Sequence, residues 1–185
     1  MKTTARATID DLYRVPEHGK AEIVDGELVL MSPTGGLPGL AAGAIYASLR
    51  EHARKHGGGR AYPDNVGFIV DLPRRRSFSP DAAFHTSTTP TMKFVNGAPV
   101  FAVEVRSESD YGPAAEKALA RKRADYFAAG TLVVWDVDLL GPDVVRVYRG
   151  DQPQPRVHRR GEVADAEPAV PGWRLPVDDL FESLS

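Results

Sequence analysis

The sequence predicts an α/β (α+β) fold, a mixed central sheet with helices on its faces. Two amphipathic helical stripes, at residues 39–56 and 113–129, are set among short apolar runs bounded by turn residues. Strands, a helix, more strands, a second helix and further strands therefore follow one another, an order that lays helices on a sheet. The 185 residues hold no repeat, no low-complexity segment and no long linker, so a single domain over residues 1–185 is expected.

Taken in chain order, "TIDDLYRV" at 8–15 reads as a short helix, with Thr8 as its cap and acids in its first turn. "AEIVDGELVLMSP" gives an N-terminal hairpin, because Asp25-Gly26 supplies the positive φ that a tight turn needs. Within 39–56, Leu40, Ile45, Leu49 and Ala53 fall near one helical face, and Gly57 to Gly59 end the helix. Strand candidates follow at "NVGFIVDL" and "SPDAAFH", parted by the basic, turn-prone "PRRRS", and then at 100–105. Residues 113–129, "PAAEKALARKRADYFAA", open on a proline suited to a first helical turn and stop at Gly130. "TLVVWDVD" is apolar enough for a strand. "DVVRVYRG" and "RVHRRGEV" read as an extra peripheral antiparallel pair, and a Pro-rich tail ends in a short amphipathic piece.

Composition narrows the chemistry. A formal net charge of -2 gives no bulk attraction for nucleic acid, which leaves only a local basic patch. With no cysteine, disulfides and thiolate metal sites are excluded, and a hard ion such as Mg2+ is the natural metal. The histidines show no ligand spacing, against a zinc hydrolase. No apolar run approaches the roughly 20 residues that span a bilayer, and the N-terminus lacks a signal-peptide core, so a cytoplasmic protein without a membrane partner is expected.

The stretch "FAVEVRSESD", 101–110, poses the chemical question. Phe101, Val103 and Val105 share one strand face, which puts Ala102, Glu104 and Arg106 on the other. Burying an unpaired charge is costly, so Glu104 and Arg106 need partners, a metal or a cleft open to water. Asp81, in "SPDAAF", opens a second short strand. On the second long helix Ala115, Leu119, Lys122, Tyr126 and Ala129 recur at spacings of 4, 3, 4 and 3, so one buried stripe carries the Lys122 ammonium toward the strands. An Asp and a Glu on neighbouring strands can hold Mg2+ (or Mn2+), which neutralises charge at a phosphoryl oxygen, while a nearby lysine positions the nucleophile. That is the equipment of a metal-dependent phosphodiesterase.

Each residue also has a plainer structural reading. Glu104 and Arg106 can form a half-exposed ladder pair, Lys122 can snorkel out of its stripe, and Asp81 can simply end a strand. Glu22 equally reads as the solvent-facing residue of a hairpin. Trp135 and Tyr126 read as core. Arg74, Arg75 and Arg76 form either a solvated turn or a grip on a phosphate backbone.

Asp81 after a proline, with "EVR" where Glu-X-Lys is usual, resembles the PD-(D/E)XK nuclease superfamily. More closely, "AEIVDGELVLMSP", "SPDAAF", "FAVEVRSESD" and "KRADYFAAGTLVVWDVD", in that order over most of 20–140, resemble the Uma-type family classed as bacterial restriction endonucleases. The resemblance implies a restriction-endonuclease-like mixed sheet and a magnesium site at Asp81 and Glu104. It also implies a helical lysine four residues before a tyrosine, matched by Lys122 and Tyr126, and Glu22 as a third acid. The activity implied is metal-dependent cleavage of nucleic-acid phosphodiesters, with DNA the expected substrate. Two cuts on opposite strands need two active sites, which points to a homodimer. Arg106 departs from the pattern: it stands at the usual lysine position yet cannot give up its proton, which leaves it a phosphate contact and rests the lysine role on Lys122. Leu37-Pro38, Glu108 and Ala21 also depart, where a histidine, a proline and a tyrosine are common. The alternatives are a non-catalytic binding or regulatory module on the same scaffold, and a hydrolase of a small phosphorylated compound.

Overall fold

The computed structural model describes residues 6–15, 19–86 and 89–181. Thr8 caps α1 (Ile9–Tyr13): its hydroxyl accepts from the Asp11 N–H while the Asp11 carboxylate reaches back to the Thr8 backbone. β1 (Ala21–Val24) and β2 (Glu27–Leu30) pair across Asp25 and Gly26, at φ 52° and 83°. α2 (Gly36–His56) begins ahead of the expected residue 39, because Pro38 falls in the first turn, where a missing N–H breaks no intrahelical bond. It buries Ala41, Ala42, Ile45 and Leu49 and leaves Leu40 exposed, so its inner face is rotated from the predicted one.

Six strands follow: β3 (Arg60–Tyr62), β4 (Phe68–Ile69), β5 (Ser77–Phe78), β6 (Ala82–His85), β7 (Val95–Asn96) and β8 (Phe101–Val105). α3 (Pro113–Ala128) carries its proline in the first turn. Beyond it come β9 (Val133–Val137), β10 (Val145–Arg149), β11 (Arg156–His158), β12 (Val163–Asp165), β13 (Arg174–Pro176) and a closing 3-10 turn at Val177–Leu180. No helix among the described residues is long and apolar enough to cross a membrane.

Among the described residues the central sheet is six-stranded, in the order β11-β10-β9-β8-β6-β3. β8 and β9 run parallel, joined through α3, and every other neighbouring pair is antiparallel. This is the predicted mixed sheet. The expected antiparallel pair, β10 and β11, forms one edge of it, with Val145 and Val147 burying their side chains in the same core.

Period-two alternation sorts the two sides of the sheet. Phe101, Val103, Val105 and Trp135 pack with Ile45 and Leu49 of α2 and with Trp173, whose ring centroid lies 5.5 Å from Phe101 and 5.1 Å from Trp135. Ala102 and Val134 face Tyr126 of α3, itself stacked on Phe78 at 4.0 Å. Glu104 shares a face with Ala102, so it lies on the α3 side. Ala82 pairs with Val103, and one step further along that register Asp81 stands across from Glu104.

Gly59 marks a tight passage into β3. A Cβ there would lie 2.5 Å from both the His85 carbonyl oxygen and Phe84 Cε1, whereas one at Gly43 of α2 would meet nothing within 4 Å. Gly59→Ala is expected to lower the unfolding free energy by about 1–3 kcal/mol. Gly43→Ala should raise it by up to about 1 kcal/mol. Urea unfolding distinguishes them, and an unchanged midpoint for Gly59→Ala would contradict the packing.

Candidate active site

Three segments meet at one ammonium. Lys122 Nζ lies 3.0 Å from Glu22 Oε1 of β1 and 2.8 Å from Glu104 Oε2 of β8. One turn further along α3, the Tyr126 hydroxyl donates to the other oxygen of Glu104 at 2.7 Å. Spacing by four residues places the lysine and tyrosine side by side on the helix face that covers the sheet. Lys122 therefore does not snorkel. Glu22, 4 % exposed, is no solvent-facing hairpin residue either: it accepts from the Ser79 N–H at 2.8 Å and from Arg75 at 2.5 Å.

Asp81 sits where β6 enters beside β8. Its N–H donates to the Val103 carbonyl at 2.9 Å, and its Oδ2 accepts from the Val105 N–H at 2.7 Å. Its Oδ1 takes the Lys20 ammonium at 2.8 Å, and that ammonium also binds Asp64 at 2.7 Å. Lys20, Glu22, Asp81, Glu104 and Lys122 all line one cleft of about 520 Å³ between the hairpin, the sheet and α3.

Arg106 also lines this cleft, yet its donors are committed elsewhere. Nε and Nη2 donate to the two oxygens of Asp136 at 2.7 and 2.8 Å, and Nη1 to Glu116. The hydrogen bonds to Asp136 first, then Glu116, hold it charged well above the ordinary range. The phosphate contact expected of it would require breaking this fork. The arginine loop differs from expectation too. Arg75 is buried and bridges Glu22 to Asp125 of α3, the latter at 2.8 Å, while Arg74 pairs with Asp25 and Arg76 with Asp71. The loop braces the hairpin against the helix. Sequence reasoning missed Lys20 and Asp125, and it missed the buried bridging role of Arg75. For Lys20 a signal existed, since it lies two residues before Glu22 and so continues the same strand face.

The charged residues that line the cleft are Glu22, Asp81, Glu104 and Asp110 against Lys20, Arg75, Arg106 and Lys122, four of each sign. Burial raises the Glu104 carboxyl to about 7; the Lys122 charge opposes that rise, and the charges of Asp81 and Glu22 add to it. For Lys122, burial alone would lower the pKa, but Glu104 and Glu22 outweigh it and keep the ammonium charged well above the usual lysine range. Lys20 is raised likewise, burial being overcome by Asp81 and Asp64. Glu22 goes the other way: burial would raise it, but Lys122 and Arg75 hold it low. Both lysines are thus fixed cations and neither is a base.

The donor set suits a hard divalent ion. Among the described residues no three of His, Cys, Asp and Glu cluster into an all-protein cage. Mg2+ needs none, since it is held by one or two carboxylates and keeps its waters. Asp81 and Glu104, opposite one another in an open cleft, fit it.

The fold is shared with a solved structure. The crystal structure of a "putative nuclease belonging to DUF820" from Anabaena variabilis ATCC 29413 matches with a TM-score of 0.76, over 97% of this chain and 99% of that chain, at 17% identity, a likeness of fold. The chain belongs to the Uma2 family, whose description is "Putative restriction endonuclease" and whose model matches residues 8–178. No curated protein matches it.

Two measurements test the electrostatics. Removing Arg75 takes from the buried Glu22 and Asp125 carboxylates the guanidinium they share, so Arg75→Met is expected to lower the unfolding free energy by about 3–5 kcal/mol, and an unperturbed melt would contradict the buried bridge. Glu104, raised from 4.5 to about 7, stabilises the fold in its protonated form, a contribution complete below 4.5 and lost as pH rises through 7. Glu104→Gln has no such loss, and the histidines cancel between the two proteins. The variant should therefore gain on the native protein by roughly 2–3 kcal/mol between about pH 4.5 and about pH 8. A difference independent of pH would show that the carboxyl is not raised.

Proposed function

We propose that this protein is a divalent-metal-dependent endonuclease that hydrolyses nucleic-acid phosphodiesters, DNA above all. The convergence of Asp81 and Glu104 in one cleft, with the Lys122 ammonium 2.8 Å from Glu104, carries the reading. Asp81 and Glu104 would hold Mg2+ (or Mn2+), and Glu22 completes the acidic side by fixing Lys122. When bound, the ion supplies positive charge against a phosphoryl oxygen and acidifies water. Lys122 has three N–H donors, two of them directed at Glu22 and Glu104, and the third is available to hold the attacking water or a phosphoryl oxygen. Being a fixed cation it positions and neutralises; it does not take a proton. Tyr126 orients Glu104. Arg106 acts through Asp136 and Glu116, as a buttress under the strand end that carries Glu104. The protein works as one domain, in the cytoplasm, and as a homodimer when both strands are cut.

One observation favours a second reading, a non-catalytic binding module on a nuclease scaffold. Every carboxylate oxygen of Glu22, Asp81 and Glu104 already accepts from a protein donor. Such a network can stand as a self-satisfied core.

Plasmid nicking separates the two. With Mg2+ or Mn2+ the native protein is expected to relax supercoiled DNA and to stop on chelation. Asp81→Asn, Glu104→Gln and Lys122→Met should each lose at least about a hundredfold in rate. An intact plasmid with the native protein at saturating Mn2+ favours the module.

A further inference from the structure

The mechanism leaves Lys20 without a task, although its ammonium is a direct partner of Asp81. The two oxygens of Asp81 are held in unlike ways. Oδ2 accepts from the Val105 N–H, a donor fixed in the central sheet, while Oδ1 takes only the end of a flexible lysine at 2.8 Å. The same ammonium is shared with Asp64 at 2.7 Å. Asp64 is itself anchored, since its Oδ1 accepts from the Asn65 N–H at 2.6 Å and its Oδ2 from the Thr34 hydroxyl at 3.1 Å. Exposure grades outward along this row: the side chains of Asp81 and Lys20 are 11% and 12% exposed, that of Asp64 35%. The lysine thus sits between an inner acid with one replaceable partner and an outer acid locked at the cleft mouth.

We propose that Lys20 is the resident counter-cation of Asp81 in the metal-free protein, that a divalent ion displaces it, and that Asp64 retains the ammonium afterwards. This rests on the metal-dependent reading above. An ammonium and a divalent ion on one carboxylate repel each other, and the repulsion grows as water leaves the cleft. Lys20 keeps one full ion pair when it moves onto Asp64 alone, so the displacement is short. The released donors then face the cleft mouth, where an anionic substrate enters. Cation affinity is set by the pair Lys20 and Asp64 as well as by the acids that hold the ion.

Calorimetric titration with Mn2+ alone, without nucleic acid, tests this on the native protein, Lys20→Met, Asp64→Asn and the double variant, each shown by a thermal melt to be folded. Lys20→Gln replaces Lys20→Met if the latter does not fold. Removing the resident charge is expected to tighten Mn2+ binding about tenfold. Asp64→Asn should weaken it about fivefold, because Lys20 then rests on Asp81 alone, and this loss should shrink to within about twofold when Lys20 is also absent. Unchanged or weaker binding in a folded Lys20 variant overturns the proposal and leaves the metal site standing. So does a loss from Asp64→Asn that persists undiminished in the double variant, which would make Asp64 a ligand. No binding in any of the four proteins overturns both.

Discussion

The ammonium of Lys122, held between Glu22 and Glu104 at 3.0 and 2.8 Å, is the contact on which the rest of the site depends. It ties the N-terminal hairpin, the central strand and the second long helix together at one point. A lysine taken out of water loses several kcal/mol of hydration, and only close opposite charges make up the deficit. Two carboxylates do so here, and each relies in turn on other donors, Glu22 on Arg75 and Ser79, Glu104 on Tyr126. The arrangement is mutual: withdrawing any one partner leaves another buried charge with a donor or acceptor fewer.

Two charged networks flank the strand end, and their difference is informative. Around Arg106, the acids Asp136 and Glu116 face Arg106 and Arg123, two against two, with the bidentate fork closing it. That cluster is electrically complete and reads as structure. The cleft around Lys122 is open, and its Glu104 is pushed up to about 7 by burial and by its acidic neighbours, against the pull of Lys122. A perturbed carboxyl in an open cleft is the usual mark of a candidate functional site. The chain's membership of the Uma2 family points the same way.

Much of this was legible in the sequence because it is written in local periods. The alternation of "FAVEV" placed Glu104 opposite the apolar core face, and the 4, 3, 4, 3 spacing placed Lys122 within the buried stripe of α3. Asp25-Gly26 announced its hairpin, and the order of elements announced a mixed sheet. What stayed hidden depends on segments far apart in the chain. Arg75 looked like the middle of a solvated basic turn because its partners, Glu22 and Asp125, lie 53 and 50 residues away. The exit of Arg106 toward Asp136 depends on β9 pairing parallel to β8, which no local pattern encodes. The face of α2 was misjudged at Leu40 because alanines give little contrast around a helix, so packing against the sheet decides the phase.

A crystal of the native protein grown with Mn2+, and its anomalous scattering, test the central claim most directly. A peak bridging the Asp81 and Glu104 carboxylates, with Lys122 still paired to Glu22, is the predicted result. Full occupancy of Mn2+ elsewhere, or an unaltered lysine-carboxylate network at saturating Mn2+, would contradict it.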